Sequence, residues 1–252
     1  MGSPGREALK RCLPLVREQY HIDACIANGE NAAGGFGLTE ETAKEMFETG
    51  VDFITSGNHI WDKRDFRDYL ERSDRVIRPA NYPPDAPGNG YGIFDVEGAS
   101  IGVLNVMGRV FMPTVDDPFR IADEIVDTLR DRTKIIVVDV HAEATSEKMA
   151  IGRFLDGRVS VIYGTHTHVQ TADEQIFPKG SAYLTDVGMT GPWDSIIGME
   201  TGIVIDRFTK TISERFNVAK HGPRQFCAAV VTVDRETGLA RDVKRIFMRG
   251  IG

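Results

Sequence analysis

Cysteine is scarce in this 252-residue sequence, and its three positions, Cys12, Cys25 and Cys227, are odd in number and lack the spacing of ligand pairs. Disulfide frameworks and structural zinc sites are built from regularly spaced sets, so these thiols read as reduced and mostly buried, as in a cytoplasmic protein. Long apolar runs are missing as well. No stretch approaches the ~20 residues of a membrane-spanning helix, and the polar opening, MGSPGREALKR, lacks the pattern of a secretory signal. There is no excess of positive charge: 30 Lys and Arg face 37 Asp and Glu, a formal net charge of −7. That balance speaks against a general nucleic-acid-binding surface and leaves room for a small nucleotide site. No internal repeat, low-complexity tract or linker divides the chain. With 41% hydrophobic and 27% charged residues, one globular domain over residues 1–252 is expected. A homo-oligomer is compatible with this composition.

One arrangement occurs several times over: a short apolar run followed at once by a side chain able to hold a metal. Val159 to Tyr163 has the apolar, β-branched make-up of a buried strand, Gly164 is expected to break it, and His166 and His168 follow. In extended backbone, positions i and i+2 lie on the same side, so both imidazoles would aim at one point. Taken alone, the pair reads either as two metal ligands or as a polar strand end with solvated histidines. Three further segments repeat the form. Cys25-Ile26-Ala27 leads to Asn28, Gly29, Glu30 and Asn31. Phe53-Ile54-Thr55 leads to Ser56, Gly57, Asn58 and His59, and Ile135 to Val138 leads through Asp139 and Val140 to His141. Ligands of open α/β sheets bind beyond the carboxyl ends of the strands, and four strand ends of one polarity favour the metal reading.

Around these strands the sequence predicts helices over about 7–20, 39–48, 62–72, 117–132 and 146–155, with Thr39 as an N-cap, Pro118 in a first turn and a kink at Pro14. Gly2 to Arg6 reads as a strand-to-helix turn. Residues 91–96 and 100–106 suggest one hairpin, and 226–234 and 243–248 another; 185–199 reads as a long loop. Alternating β and α elements followed by a mostly β last third predict an α/β fold with a mixed sheet or two packed sheets. His21 and His221 read as solvated. Trp61 and Trp193 read as core or rim residues, with base stacking as the alternative.

Glu30 is the one carboxylate among the strand-end candidates, and its two oxygens can bridge two ions. Asn31 and Asn58 can ligate through amide oxygens, and His141, His166 and His168 through nitrogen. A mixed nitrogen and oxygen set suits Mn, Fe or Zn better than Mg or Ca. Six donors exceed what one catalytic ion with open positions needs and suit two ions ~3.5–4 Å apart. Two divalent cations against one carboxylate leave the site positive. That favours a small anionic substrate, a bridging hydroxide and metal-assisted phosphoester hydrolysis. His59 cannot easily reach the ion held by its neighbour Asn58, but it can stand over the substrate as a proton donor. Packing at a helix start is the alternative.

The motifs GEN (29–31), GNH (57–59), DVHAEATSEK (139–148) and GTHTHVQTAD (164–173) resemble those of the calcineurin-like metallophosphoesterases. With RPANYP (78–83) and TDVGMTGP (185–192), the chain is most similar to the bacterial branch of dimetal 2′,3′-cyclic-nucleotide 2′-phosphodiesterases. The resemblance implies a four-layer αββα sandwich holding two divalent ions, iron or manganese. It implies Glu30 as the bridging ligand, Asn31 and His168 on the first ion, Asn58, His141 and His166 on the second, and His59 as general acid. Cyclic nucleotides, 2′,3′- and also 3′,5′-, are the implied substrates. The family pattern opens with a strand ending in Gly-Asp, two residues before the position of Met1, and that aspartate ligates the first ion. The expectation is therefore a chain that starts late, lacks this first strand and holds its first ion less tightly.

Two other functions stay open at this level. One is a non-catalytic regulator that keeps the fold and acts through a nucleotide or protein partner. The other is a phosphatase acting on phosphoproteins. Metal content per chain separates the enzyme from the regulator.

Overall fold

Strands that bury residues on both faces need helices or a second sheet on either side, and this chain supplies both. The computed structural model describes residues 1–211 and 214–252. Helix α1 (Gly2–Tyr20) is followed by β1 (Ile26–Asn28), α2 (Glu40–Glu48) and β2 (Phe53–Thr55), then by a 3-10 turn at Arg64–Phe66 and the short α3 (Arg67–Arg72). A hairpin of β3 (Tyr91–Val96) and β4 (Ala99–Met107) precedes α4 (Pro118–Arg130), β5 (Ile135–His141), α5 (Thr145–Leu155) and β6 (Val161–Thr165). The remainder comprises β7 (Gln175–Ile176), β8 (Ala182–Leu184), β9 (Gly191–Pro192), α6 (Thr201–Lys210), β10 (Arg224–Val233) and β11 (Ala240–Ile251).

One sheet has six strands in the order β3-β4-β5-β6-β8-β7, with β4, β5, β6 and β8 parallel. Side chains of β4 and β5 alternate between two cores. Leu104, Val106, Ile136 and Val138 pack against Val126 of α4 and Ile151 of α5. Ile101, Val103, Ile135 and Val137 face the other way, toward Ile26 and Phe53. Those two residues belong to the second layer, where β1 pairs with β2 in parallel and β10 pairs with β11 antiparallel. Helix α1 covers this layer. Its Leu13 packs with Ala43 and Met46 of α2 and with Ile54, and Cys12 and Val16 pack with Phe226 and Ile246. Helix, sheet, sheet and helix make a four-layer αββα sandwich. A cavity of about 560 Å³ lies between the sheets, lined by Ile26, Val137, Tyr163 and Val230 and reaching Glu30 and His168. Among the described residues no helix is long and apolar enough to cross a membrane.

Several local expectations are corrected. Gly2 to Arg6 form the first turn of α1 rather than a separate turn, and the helix continues through Pro14. Pro4 suits a first turn, where its missing N–H has no helical partner, and a Cβ on Gly5 would stand 2.6 Å from the Thr190 carbonyl oxygen. Gly164 does not end its strand, because β6 runs on to Thr165. A Cβ at Gly164 would collide with the carbonyl oxygen of Thr185, so the glycine marks a close approach of two chain segments. Helix α6 was not foreseen. Val204 is its one buried residue among those described, while the apolar Ile205 and Phe208 stand exposed.

Candidate metal centre

Each candidate ligand follows or ends a short strand, so the parallel packing of the strands carries the ligands to one place. Glu30 comes after β1, Asn58 after β2, His141 at the end of β5 and His166 after β6. His141 Nε2 stands 2.9 Å from Glu30 Oε2, 2.9 Å from Asn58 Oδ1 and 3.2 Å from His166 Nδ1. The ligand atoms of Glu30, His141 and His166 all lie within 4.8 Å of one another. Gly57 gives this cluster its floor: a Cβ there would strike His141 Nε2 and stand 2.6 Å from Glu30 Oε2.

His166 and His168 do not aim at one point. Their φ angles are 94° and 67°, so the backbone between them is not extended and the i, i+2 argument fails. His168 turns instead to Asn31, with Nε2 3.0 Å from Asn31 Nδ2. A flip of that amide exchanges Nδ2 for Oδ1, the atom that ligates. Positive φ in residues other than glycine costs about 1–3 kcal/mol each, which the surroundings must offset.

All three histidines are held from behind by an acceptor, which decides which nitrogen faces the centre. Thr165 Oγ1 donates to Asp139 Oδ1 at 2.7 Å, so it accepts from His141 Nδ1 at 2.9 Å. Asp139 also accepts from Asn28 Nδ2 and Thr55 Oγ1. His166 Nε2 donates to Glu143 Oε2 at 3.1 Å, and His168 Nδ1 donates to the Ile197 carbonyl at 2.9 Å. The opposite nitrogen of each ring therefore faces the centre, the arrangement that orients metal-binding histidines.

Electrostatics agree. Burial and the neighbouring His141 push the His166 pKa down to about 4, and burial lowers that of His168, so both rings are neutral at neutral pH. Burial alone would raise Glu30, but His141 and His59 outweigh it and hold the carboxyl at about 2. Burial likewise opposes charge on His141, yet the Glu30 carboxylate raises its pKa overall. A carboxylate, an amide oxygen and two ring nitrogens thus converge at this spacing, and a proton on His141 Nε2, shared with Glu30, occupies the place that a cation could take. The residues fit the divalent transition ions that such a donor set selects.

His59 lies beside the cluster. Its backbone N–H donates to Glu30 Oε1 at 3.1 Å, its Nδ1 is 2.9 Å from Asp62 Oδ2, and its ring meets the Phe36 ring edge-on at 5.0 Å. Asp62, Glu143, Asp139 and Thr165 were not singled out from sequence. Glu143 and Asp139 lie within the DVHAEATSEK motif, but nothing in spacing tells a supporting carboxylate from a solvated one. Trp61 packs against Tyr82 at 5.5 Å in the core under α2, and half-exposed Trp193 lies under Arg249, so both occupy the core or rim.

A four-layer sandwich that gathers carboxylate, amide and imidazole donors at its strand ends defines a metallophosphoesterase. Residues 1–246 match the family described as YmdB-like protein, and the chain belongs to that family. It is 46% identical over 248 residues to the 2′,3′-cyclic-nucleotide 2′-phosphodiesterase of Bacillus subtilis strain 168, covering 98% of this chain and 94% of that one. The fold is similar to that of a hypothetical protein from Thermus thermophilus, with TM-score 0.92 and 42% identity over 99% of this chain and 96% of the other. A crystal structure of a phosphatase from Mycoplasma pneumoniae is similar at TM-score 0.92 and 35% identity, over 98% of this chain and 90% of that one.

Proposed function

We propose that this chain, a phosphoester hydrolase by its family, opens 2′,3′-cyclic nucleotides between phosphorus and O2′, acting as one domain over residues 1–252. The observation that supports this reading most is the set of ligand-capable atoms of Glu30, Asn58 and His166 gathered around His141 Nε2, together with the Asn31–His168 contact. Asn31 and His168 would hold one ion, Asn58, His141 and His166 the other, and Glu30 both, with iron or manganese preferred and zinc third. When bound, the ions would supply positive charge for the phosphodiester and an activated water. His59 handles the proton. Asp62 engages Nδ1, which orients the ring and leaves Nε2 to the substrate. A proton given from Nε2 to O2′ lets that oxygen leave as the water oxygen joins phosphorus, and the product is the nucleoside 3′-monophosphate. Three cysteines that form no disulfide are compatible with the cytoplasmic setting that we propose.

The test is metal content per chain together with turnover of 2′,3′-cyclic AMP. Two ions and 3′-AMP as product are expected. No ion and no turnover points to the regulator. Phosphate release from phosphoproteins without cleavage of cyclic nucleotides points to the phosphatase, and 2′-AMP as product overturns the choice of bond. Turnover of 3′,5′-cyclic AMP in parallel measures how far the site depends on the five-membered ring.

A further inference from the structure

Three residues of the motifs take no part in ligation: Lys148 of DVHAEATSEK, Thr167 of GTHTHVQTAD and Asp186 of TDVGMTGP. They meet behind the metal centre. Lys148 comes from α5, Thr167 lies between the two histidines, and Asp186 follows β8. Asp186 Oδ2 accepts from Thr167 Oγ1 at 2.6 Å, from the Thr167 backbone N–H at 3.2 Å and from Lys148 Nζ at 2.8 Å. Its Oδ1 accepts from the Gly188 N–H at 2.8 Å. Lys148 Nζ also reaches Thr167 Oγ1 at 3.3 Å. The Asp186 backbone is pinned in turn, its N–H donating to Thr171 Oγ1 at 2.9 Å and its carbonyl accepting from the Thr171 N–H at 3.1 Å.

We propose that Asp186, neutralised by Lys148, is the positioning residue that holds His166 and His168 in their ligating conformation, acting through Thr167. The inference rests on the dimetal reading above. Both side chains of the ion pair are 1% exposed, and a pair buried this deeply is a poor source of stability compared with apolar residues of the same volume. What it does provide is direction. The carboxylate grips the one residue that joins two left-handed histidines, a conformation that persists only when the surroundings over-determine it. His166 faces His141 and His168 faces Asn31, so a shift of Thr167 displaces a donor at both ion positions at once. This brace also gives TDVGMTGP a role, although the motif contributes no ligand.

Thr167→Val removes the hydroxyl contact, keeps the side-chain shape and leaves the buried ion pair in place, so the variant is expected to fold. Cobalt(II) binding, followed by titration and by the visible absorption of the bound ion, is expected to weaken about 10–100-fold with altered band shape. Thr167→Ser should restore both. Leu155→Ala, which removes core volume under α5, controls for stability and should lower the melting temperature without changing the cobalt spectrum. A folded Thr167→Val protein with wild-type cobalt affinity and spectrum overturns the proposal. Amide exchange in the metal-free chain reads the brace independently: residues 166–168 should be protected in the wild type and lose that protection in Thr167→Val. If the wild type binds no cobalt, the dimetal reading fails, and exchange alone decides. Equal exchange in wild type and variant then overturns the brace.

Discussion

His59 shows how much a single residue's role depends on which nitrogen is engaged. The ring is about one-third exposed, and Asp62 engages Nδ1 at 2.9 Å, so Nε2 is the atom left to face a leaving oxygen. The ring makes no contact with His141, His166 or His168 among the described hydrogen bonds, whereas its backbone touches Glu30. His59→Ala is therefore expected to keep its metal and lose about 10²–10⁴ in turnover of 2′,3′-cyclic AMP. A nitrophenyl phosphodiester, whose leaving group needs little protonation, should lose far less. Equal losses on the two substrates would remove His59 from proton transfer, and a loss of bound metal would make it a ligand or a support for one.

At the scale of elements, the decisive feature is that two parallel pairs of strands, β1–β2 and β5–β6, each stop where the chemistry starts. This much was legible in the sequence, because an apolar run followed directly by Glu30, Asn58, His141 or His166 is a one-dimensional pattern. The supports were not legible. Thr165 and Asp139 fix His141 from 24 and 2 residues away, and Asn28 reaches Asp139 across 111 residues; only strand packing creates those neighbours. The common aim of the two GTHTH histidines failed for a related reason, since the expectation assumed extended backbone and both residues have positive φ. Gly164 was legible as special but not as to why. A Cβ there meets the Thr185 carbonyl, and the stem of Lys148 passes at 2.8 Å. Gly164→Ala should cost about 1–3 kcal/mol or more, roughly 2–12 °C in melting temperature. Gly202→Ala supplies the contrast. Position 202 lies in α6 with nothing within 4 Å of a new Cβ, so alanine there should be neutral or stabilising by about 0.5–1 kcal/mol. Thermal denaturation of both variants checks the pair, and a Gly164→Ala protein as stable as the wild type would show that the two segments can part without loss.

Across the whole molecule, the candidate ligands come from both sheets. Glu30 and Asn58 extend from the β1–β2 layer, and His141 and His166 from the six-stranded sheet. Elsewhere the layers meet through the core that joins Phe53 and Ile77 to Ile101 and Val103, while the cavity of about 560 Å³ keeps parts of them separated. Ions bound at the strand ends would therefore add a tie between the two sheets at one edge, beside the Glu30–His141 pair and the hydrogen bonds of Asn28 and Thr55 to Asp139. An ion that binds the folded chain but not the unfolded one stabilises it by about 2.7 kcal/mol per site at a hundredfold excess over Kd. For a chain of this length that is about 5–11 °C in melting temperature per site. Chelator-treated protein should melt lower by this amount or twice it, and adding manganese should restore the loss. Glu30→Gln removes the carboxylate that we propose both ions share, so its melting temperature should respond to manganese much less than that of the wild type. If metal leaves the wild-type melting temperature unchanged while turnover depends on it, the ions act without joining the sheets, and the sandwich owes its cohesion to its apolar cores and to protein hydrogen bonds such as those of Asn28 and Thr55 to Asp139.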